Sequence, residues 1–345
     1  MSKKNNRKGH TWRNYLILSF ITVSIFIICV CTGSITVPVK DTLNVILSSI
    51  QGKETELAVS KSVIVLVRIP RVLCVALVGA ALTICGASMQ GLLKNPLADG
   101  STLGVSAGAS LGAVIAITFG FRIPGLEGGG TMVMAILFAF VSIIAILALA
   151  RVLDYSLTTN TIILIGIIFS MFIGSIINLI IAFAGEKVKT IVFWTMGSLA
   201  DSNYTNFFVM FAALIICSVV LLLHTNELNA LAIGEDNARN IGINVRNTKL
   251  IILISTSVLI GISVSIGGTI GFVGLIIPHI TRMITGPNHK RLLPTCIFTG
   301  ASFLMLADLI ARIIVKPKEL PIGVVTSIIG VISFIYIFYV TRKAK

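Results

Sequence analysis

Ten apolar runs alternate with short polar breaks along this chain, near residues 14–33, 63–90, 100–120, 131–150, 160–184, 206–224, 250–268, 270–285, 292–314 and 322–341. A helix needs roughly 17–25 apolar residues to cross a hydrocarbon core of about 30 Å. In lipid the backbone must satisfy its own N–H and C=O groups, so the pattern predicts an all-α integral membrane protein with ten transmembrane helices. One domain over 14–341 is expected, with a basic segment at 1–13 and a short basic tail at 342–345. The first run is longer than a signal-peptide core and is followed by no small-residue cleavage site, so it reads as an uncleaved span. One long polar interruption stands out, TNELNALAIGEDNARNIGINVRNTK at 225–249.

Composition agrees with the pattern. Of 345 residues 56% are hydrophobic and 12% charged, and the mean hydropathy is +1.01, outside the range of soluble domains. An even number of spans puts both termini on one side. With the termini inside, 16 of the 27 Lys and Arg fall in inner segments, and the positive-inside rule favours cytoplasmic termini. The net charge of +14 then serves topology; no basic segment is interleaved with aromatics, so no nucleic-acid partner is expected. The six cysteines show no C-x-x-C spacing and the four histidines no H-E-x-x-H, so no metal site and no bound cofactor are expected. A G-x-x-x-x-G-K-[ST] phosphate loop is absent too, so any ATP-driven work must come from another subunit.

On this topology 225–249 is the longest inner loop. Leu228, Leu231 and Ala232 mark a short helix that Thr225 or Asn226 can cap and Gly234 can end with a left-handed residue. Glu235 and Asp236 open a second turn, with Ala238 and Ile241 on one side and Gly242 closing it. Helices this short are not stable alone. Two readings fit: a surface loop resting on its own bundle, or a rigid knob that fits a groove on an inner partner.

Other residues leave comparable alternatives. Gly100, Gly104, Gly108 and Gly112, continued by Ala116 and Gly120, draw a smooth ridge along the third span, for packing within the chain, a pore wall or a subunit seam. Gly267, Gly268, Gly271 and Gly274 suit either a sharp turn or a moving gate. Arg68 and Arg71 share a helical face at the outer end of the second span, and Arg312 lies at the outer end of the ninth; arginines there often anchor at lipid headgroups. Asp308 is the sole acid placed well inside a span, either a coupling group of an ion-gradient-driven transporter or the partner of Arg312 four residues on. Residues 185–201 are too polar to span and predict a small re-entrant or surface helix, with Trp194 and Met196 facing cargo or lipid. No Ser/His, paired-Asp or metal constellation in the spans suggests an intramembrane enzyme.

Four stretches in fixed order carry a resemblance: RIPRVLCVALVGAALTICGASMQGLLKNPLADGSTLGVSAGASLGA (68–113), LNALAIGEDNARNIGINV (228–245), GGTIGFVGLIIPHITRMITGPNHKRLLP (267–294) and ADLIARIIVKPKELPIGVVTSIIG (307–330). Together they resemble the FecCD family, the permease subunits of ATP-binding-cassette importers for iron–siderophore complexes, haem and vitamin B12. The resemblance implies the type II ABC importer permease fold, in the cytoplasmic membrane of a bacterium. It implies pairing with a second copy or paralogue, and two cytoplasmic ATPase subunits that use ATP and Mg. An extracytoplasmic binding protein would deliver the cargo, iron–siderophore being the commonest in similar proteins. It also implies ATPase coupling through Leu228, Leu231, Gly234, Glu235, Asp236, Ala238, Ile241 and Gly242, and binding-protein docking through Arg68, Arg71 and Arg312.

Overall fold

The structure is a computed structural model describing residues 12–34, 37–50, 61–100, 103–124, 128–154 and 158–343; most of the basic start and the last two residues of the tail lie outside the described residues. The α-helices among them are α1 Trp12–Cys31, α2 Val39–Ile50, α3 Ile69–Leu92, α4 Val105–Phe119, α5 Gly129–Leu153, α6 Thr159–Phe183, α7 Val188–Thr195, α8 Tyr204–Leu223, α9 Thr225–Ile233, α10 Glu235–Asn240, α11 Val245–Gly267, α12 Val273–Thr285, α13 His289–Ile313 and α14 Ile322–Lys343. Seven are long and apolar enough to cross a membrane: α1, α3 with the π-helical turn Ser62–Arg68 ahead of it, α5, α6, α8, α11 and α13. Shorter apolar segments, Val105–Phe119, Val273–Thr285 and Ile322–Tyr336, occupy the other three predicted positions. Helix α2 falls in a stretch without a predicted element.

Local chemistry explains where helices begin. Asn203 accepts from the Asn206 N–H at 2.9 Å, Asn244 from Asn247 at 3.1 Å and Asn288 from Lys290 at 3.0 Å, so asparagine caps start α8, α11 and α13. Helices α11 and α13 therefore begin before the apolar runs at 250 and 292, in polar turns that a hydropathy window leaves out. Pro70, near the start of α3, has no N–H to give. Just ahead of it the ladder slips by one residue, and the Ile69 N–H bonds the Ile64 carbonyl five positions back.

Helix α3 is buried along nearly all its length and is flanked by α8, α11, α12 and α13. Glycine permits the closest approaches. A Cβ on Gly79 would strike the Gly300 carbonyl, one on Gly300 the Gly79 carbonyl, and one on Gly86 the Gly274 carbonyl. Arg71 beside Asp308, Gly79 beside Gly300 and Gly91 beside His289 fix α3 and α13 as antiparallel neighbours from end to end. The end holding Gly91, His289, α9 and α10 is the knob end; the end holding Arg71 and Asp308 is the far end.

The glycine ridge is shorter than its spacing implies. Gly108 and Gly112 pack α4 onto α5, where a Cβ would collide with Ser142 and with the Met134 carbonyl. Gly104 (φ 73°) caps α4 and lies against Ile146 of α5 and Phe169 of α6, Gly120 (φ 68°) ends α4, and Gly100 lies in the preceding connection against Ile260 of α11. The four-residue period runs past both helix ends because α4 begins five residues later than the apolar run, after the left-handed Gly104. Elsewhere α1, α5 and α6 leave broad apolar surfaces, Phe20, Ile144 and Met171 among them, suited to lipid or a neighbouring chain.

Candidate functional site

Helices α9 and α10 form the knob. Gly242 takes a left-handed φ of 88°, but Gly234 is extended at φ 170° and ψ 144°, so the first break is a swing of extended chain and not the left-handed cap expected. Neither Thr225 nor Asn226 caps α9. Its N-cap is His224, and the Thr225 hydroxyl donates back to the Leu222 carbonyl at 3.0 Å. Leu228, Leu231 and Ala238 are buried, and α9 rests on the ends of α3 and α13. Lys249 of α11, itself buried, pairs with Glu235 at 2.7 Å and ties α10 down.

The opposite face is apolar at its tips: Ile233 is 76% and Ile241 70% exposed, with Ala232, Asp236 and Gly242 exposed beside them. The sequence grouped Ala232 with the two leucines and Ile241 with Ala238. Both groupings split, because each short helix has its own inward stripe and residues at its end turn away from it. The reading of a loop resting on its own bundle describes the inner face; the outer face is bare. A cleft of about 510 Å³ adjoins the bare face, lined by Lys94, Thr158, Glu235, Asp236 and Arg239. Below the knob, Gln90 donates to the Leu275 carbonyl at 3.0 Å and accepts from Arg282 at 3.0 Å, joining α3 to α12.

At the far end the three arginines are not exposed. Arg68, Arg71 and Arg312 are 5%, 7% and 2% exposed. Arg71 donates through Nε and Nη2 to Asp308 Oδ1 at 3.1 and 2.9 Å, and through Nη1 to Glu319 Oε2 at 2.6 Å. Arg312 Nε lies 2.9 Å from Asp308 Oδ2, an ion pair without hydrogen-bond alignment, while its Nη1 donates to the Cys29 and Thr32 carbonyls. Arg68 donates to the carbonyls of Val30 and Cys31. The expectation of docking charges, and that of headgroup anchors, both assumed free guanidinium groups. Here the guanidinium groups close off the carbonyl end of α1 and clamp α3 to α13. Asp308, held from both sides, does not have the free carboxylate that an ion-coupled transporter would use. Burial alone would raise the Glu319 carboxyl, but the hydrogen bond and charge of Arg71 outweigh it and hold the group below the ordinary glutamate value.

Residues 268–272 separate α11 from α12, with left-handed backbone at Gly268 (φ 66°) and Phe272 (φ 67°). Segment 185–201 does contain a short helix, α7, and its end is latched to this turn. The Ser198 N–H donates to the Gly267 carbonyl at 2.9 Å, the Thr269 hydroxyl donates to the Thr195 carbonyl in a short hydrogen bond, and a Cβ on Gly268 would strike the Trp194 carbonyl. Trp194 is half-buried against the core and Met196 exposed. Gly271 has open space around it apart from Ser327. Beside the turn lies a cavity of about 250 Å³ whose lining includes Asp99, Gly100, Ser106, Ser170, Thr269 and Gly271. Asp99 lies close to Gly274 of α12.

Seven helices long and apolar enough to span, a buried central helix, a broken helix pair around a small cavity and a structured knob at one end define, in class, a multi-pass membrane protein. The chain belongs to the FecCD transport family, which matches residues 21–340. It is 41% identical over 330 residues to an uncharacterised ABC transporter permease protein, YvrB, of Bacillus subtilis, covering 95% of this chain and 92% of that one. It is 36% identical to a cobalamin import system permease protein of Halobacterium salinarum, covering 79% of this chain and 72% of that one. Relatives named for molybdate in Haemophilus influenzae, hemin in Yersinia pestis and iron chelatin in Helicobacter pylori are 35%, 34% and 36% identical. A solved structure described as a metal-chelate type ABC transporter in an inward-facing conformation superposes with a TM-score of 0.82 at 33% identity, covering 95% of this chain and 99% of that one. The chain is accordingly an ABC importer permease of that family.

Proposed function

We propose that this permease imports an iron–siderophore complex across the cytoplasmic membrane of a bacterium, with both termini and the knob on the cytoplasmic side. A second copy or a paralogue completes the translocation path, and an extracytoplasmic binding protein delivers the cargo. Two separate ATPase subunits bind ATP and Mg and dock on the knob. The observation that carries the docking is the bare tip: Ile233 and Ile241 stand exposed on helices whose other faces are anchored by Leu228, Leu231 and Ala238. Exposed apolar side chains on a rigid support suit a partner's groove. The iron assignment rests on the metal-chelate neighbour and the iron chelatin relative; haem and cobalamin, named for other relatives, are the alternatives.

Two measurements test this. The tagged chain is purified in mild detergent from its host beside a version whose residues 226–242 are replaced by a Gly/Ser linker; an ATPase subunit accompanies the first and not the second. A deletion strain is then supplied with a ferric hydroxamate, hemin, cyanocobalamin or molybdate. Loss of growth on the ferric hydroxamate as sole iron source is the expected result. Unimpaired growth there, with uptake of another compound lost, overturns the iron assignment.

A further inference from the structure

Besides its buried leucines, which rest on the ends of α3 and α13, the knob is tied to the bundle at three places of different character. Helix α9 continues from α8 through the single residue His224, and α10 is tied to α11 by the Glu235–Lys249 ion pair. The third joint is an amide clamp. Asn229 Oδ1 accepts both the His289 backbone N–H at 2.8 Å and the His289 ring Nδ1 at 2.8 Å, and Asn229 Nδ2 donates to Asn288 Oδ1 at 3.1 Å. Asn288 is the cap of α13 and His289 its first residue, so one side chain of the knob grips the N-terminus of a spanning helix by its backbone. The His289 ring is buried and wedged against Gly91 at the end of α3, where a Cβ would overlap the imidazole. A backbone N–H held by a side-chain oxygen transmits displacement along the helix axis, whereas a lysine ion pair on a flexible stem follows it loosely.

Helix α13 runs unbroken for 25 residues, through Pro294, a length of about 37 Å. At its other end Asp308 is held by Arg71, Arg312 holds two carbonyls of the α1 end, and the Leu320 N–H donates to the Ala311 carbonyl at 3.0 Å. Loop 314–321 is therefore fastened to the far end of the same helix that Asn229 holds at the knob end.

We propose that Asn229 is the positioning residue that passes displacement of the knob into α13, and that α13 carries it to loop 314–321 at the far end. The spans that flank the knob in sequence are then secondary to a helix about 50 residues further along. This inference rests on the reading of the knob as the ATPase docking site.

The test uses the complete complex of this chain with the ATPase subunits that accompany it, in nanodiscs, with hydrogen–deuterium exchange of peptides covering 314–321 measured with and without trapping by ATP and vanadate. In wild type, trapping changes the exchange of this loop. Asn229→Ala is expected to keep ATPase binding and hydrolysis within about twofold yet lose the trapping-dependent change, while Asn229→Asp, which keeps the acceptor for His289, retains it. The proposal is overturned if Asn229→Ala preserves the change at wild-type size, if the alanine and aspartate variants lose it equally, or if Asn229→Ala simply fails to hold the ATPase. A wild-type chain that binds no ATPase sinks the docking reading itself and not merely the assignment of Asn229.

Discussion

Glu319 and Asp308 share one arginine at the far end, yet only Glu319 reaches water, with a side chain 27% exposed against 1%. A carboxyl held below its ordinary value contributes stability above that value and loses it only as the pH falls through the lowered one. The difference in unfolding midpoint between wild type and Glu319→Gln should stay constant from neutral pH down to the ordinary glutamate value near 4.5 and close only below it. Thermal unfolding in detergent across that range measures it; a gap already closing near neutrality would contradict the pairing. The Asp308–Arg312 pair was legible in the sequence because four residues separate its members on one helix. Arg71 was not, since it stands 237 positions from Asp308 in the chain, and nothing local marks an arginine as buried. Asn229 gave no signal either, as its role depends on where the start of α13 comes to lie.

Helix pairing carries the next level of organisation. Gly300 and Gly79 let α3 and α13 touch backbone to backbone, so Gly300→Ala forces a separation of the two rods and should cost about 1–3 kcal/mol. Gly174→Ala on α6, where nothing lies within 4 Å of the added Cβ, should be neutral or slightly stabilising. Unfolding titrations in mixed micelles distinguish the two. Elements long and apolar enough to span were readable from hydropathy, and the knob from its Gly-punctuated polarity. Which face each knob helix turns inward was not, because α10 has only six residues, fewer than two turns and too few to define a stripe. The extent of the glycine ridge was likewise hidden, since a period of four continues regardless of where a left-handed glycine interrupts the helix.

For the molecule as a whole, order along the chain and the ten apolar positions followed from burial of backbone polar groups in lipid. The depth of the breaks between them did not. Helix α4 has 15 residues and α12 has 13, about 22 and 20 Å respectively, both short of a hydrocarbon core of about 30 Å. Each follows a left-handed residue, Gly104 or Phe272, and the chain before each lines the same small cavity through Gly100 and Gly271. The backbone of both breaks borders that cavity, the kind of setting in which non-helical backbone is tolerated at membrane depth. The remedy for a short helix is local: the bilayer thins beside it, or flanking side chains snorkel to the interface, at a fraction of a kcal/mol for each ångström of mismatch. Acyl-chain length therefore acts on this protein as a mechanical load. Reconstituted with its partners, it should run fastest in thin membranes and slow progressively as the lipids lengthen, with ATP-driven uptake in vesicles of 14- to 22-carbon monounsaturated lecithins as the measurement. A rate indifferent to thickness would mean that the neighbours of α4 and α12 bear the whole hydrophobic span by themselves.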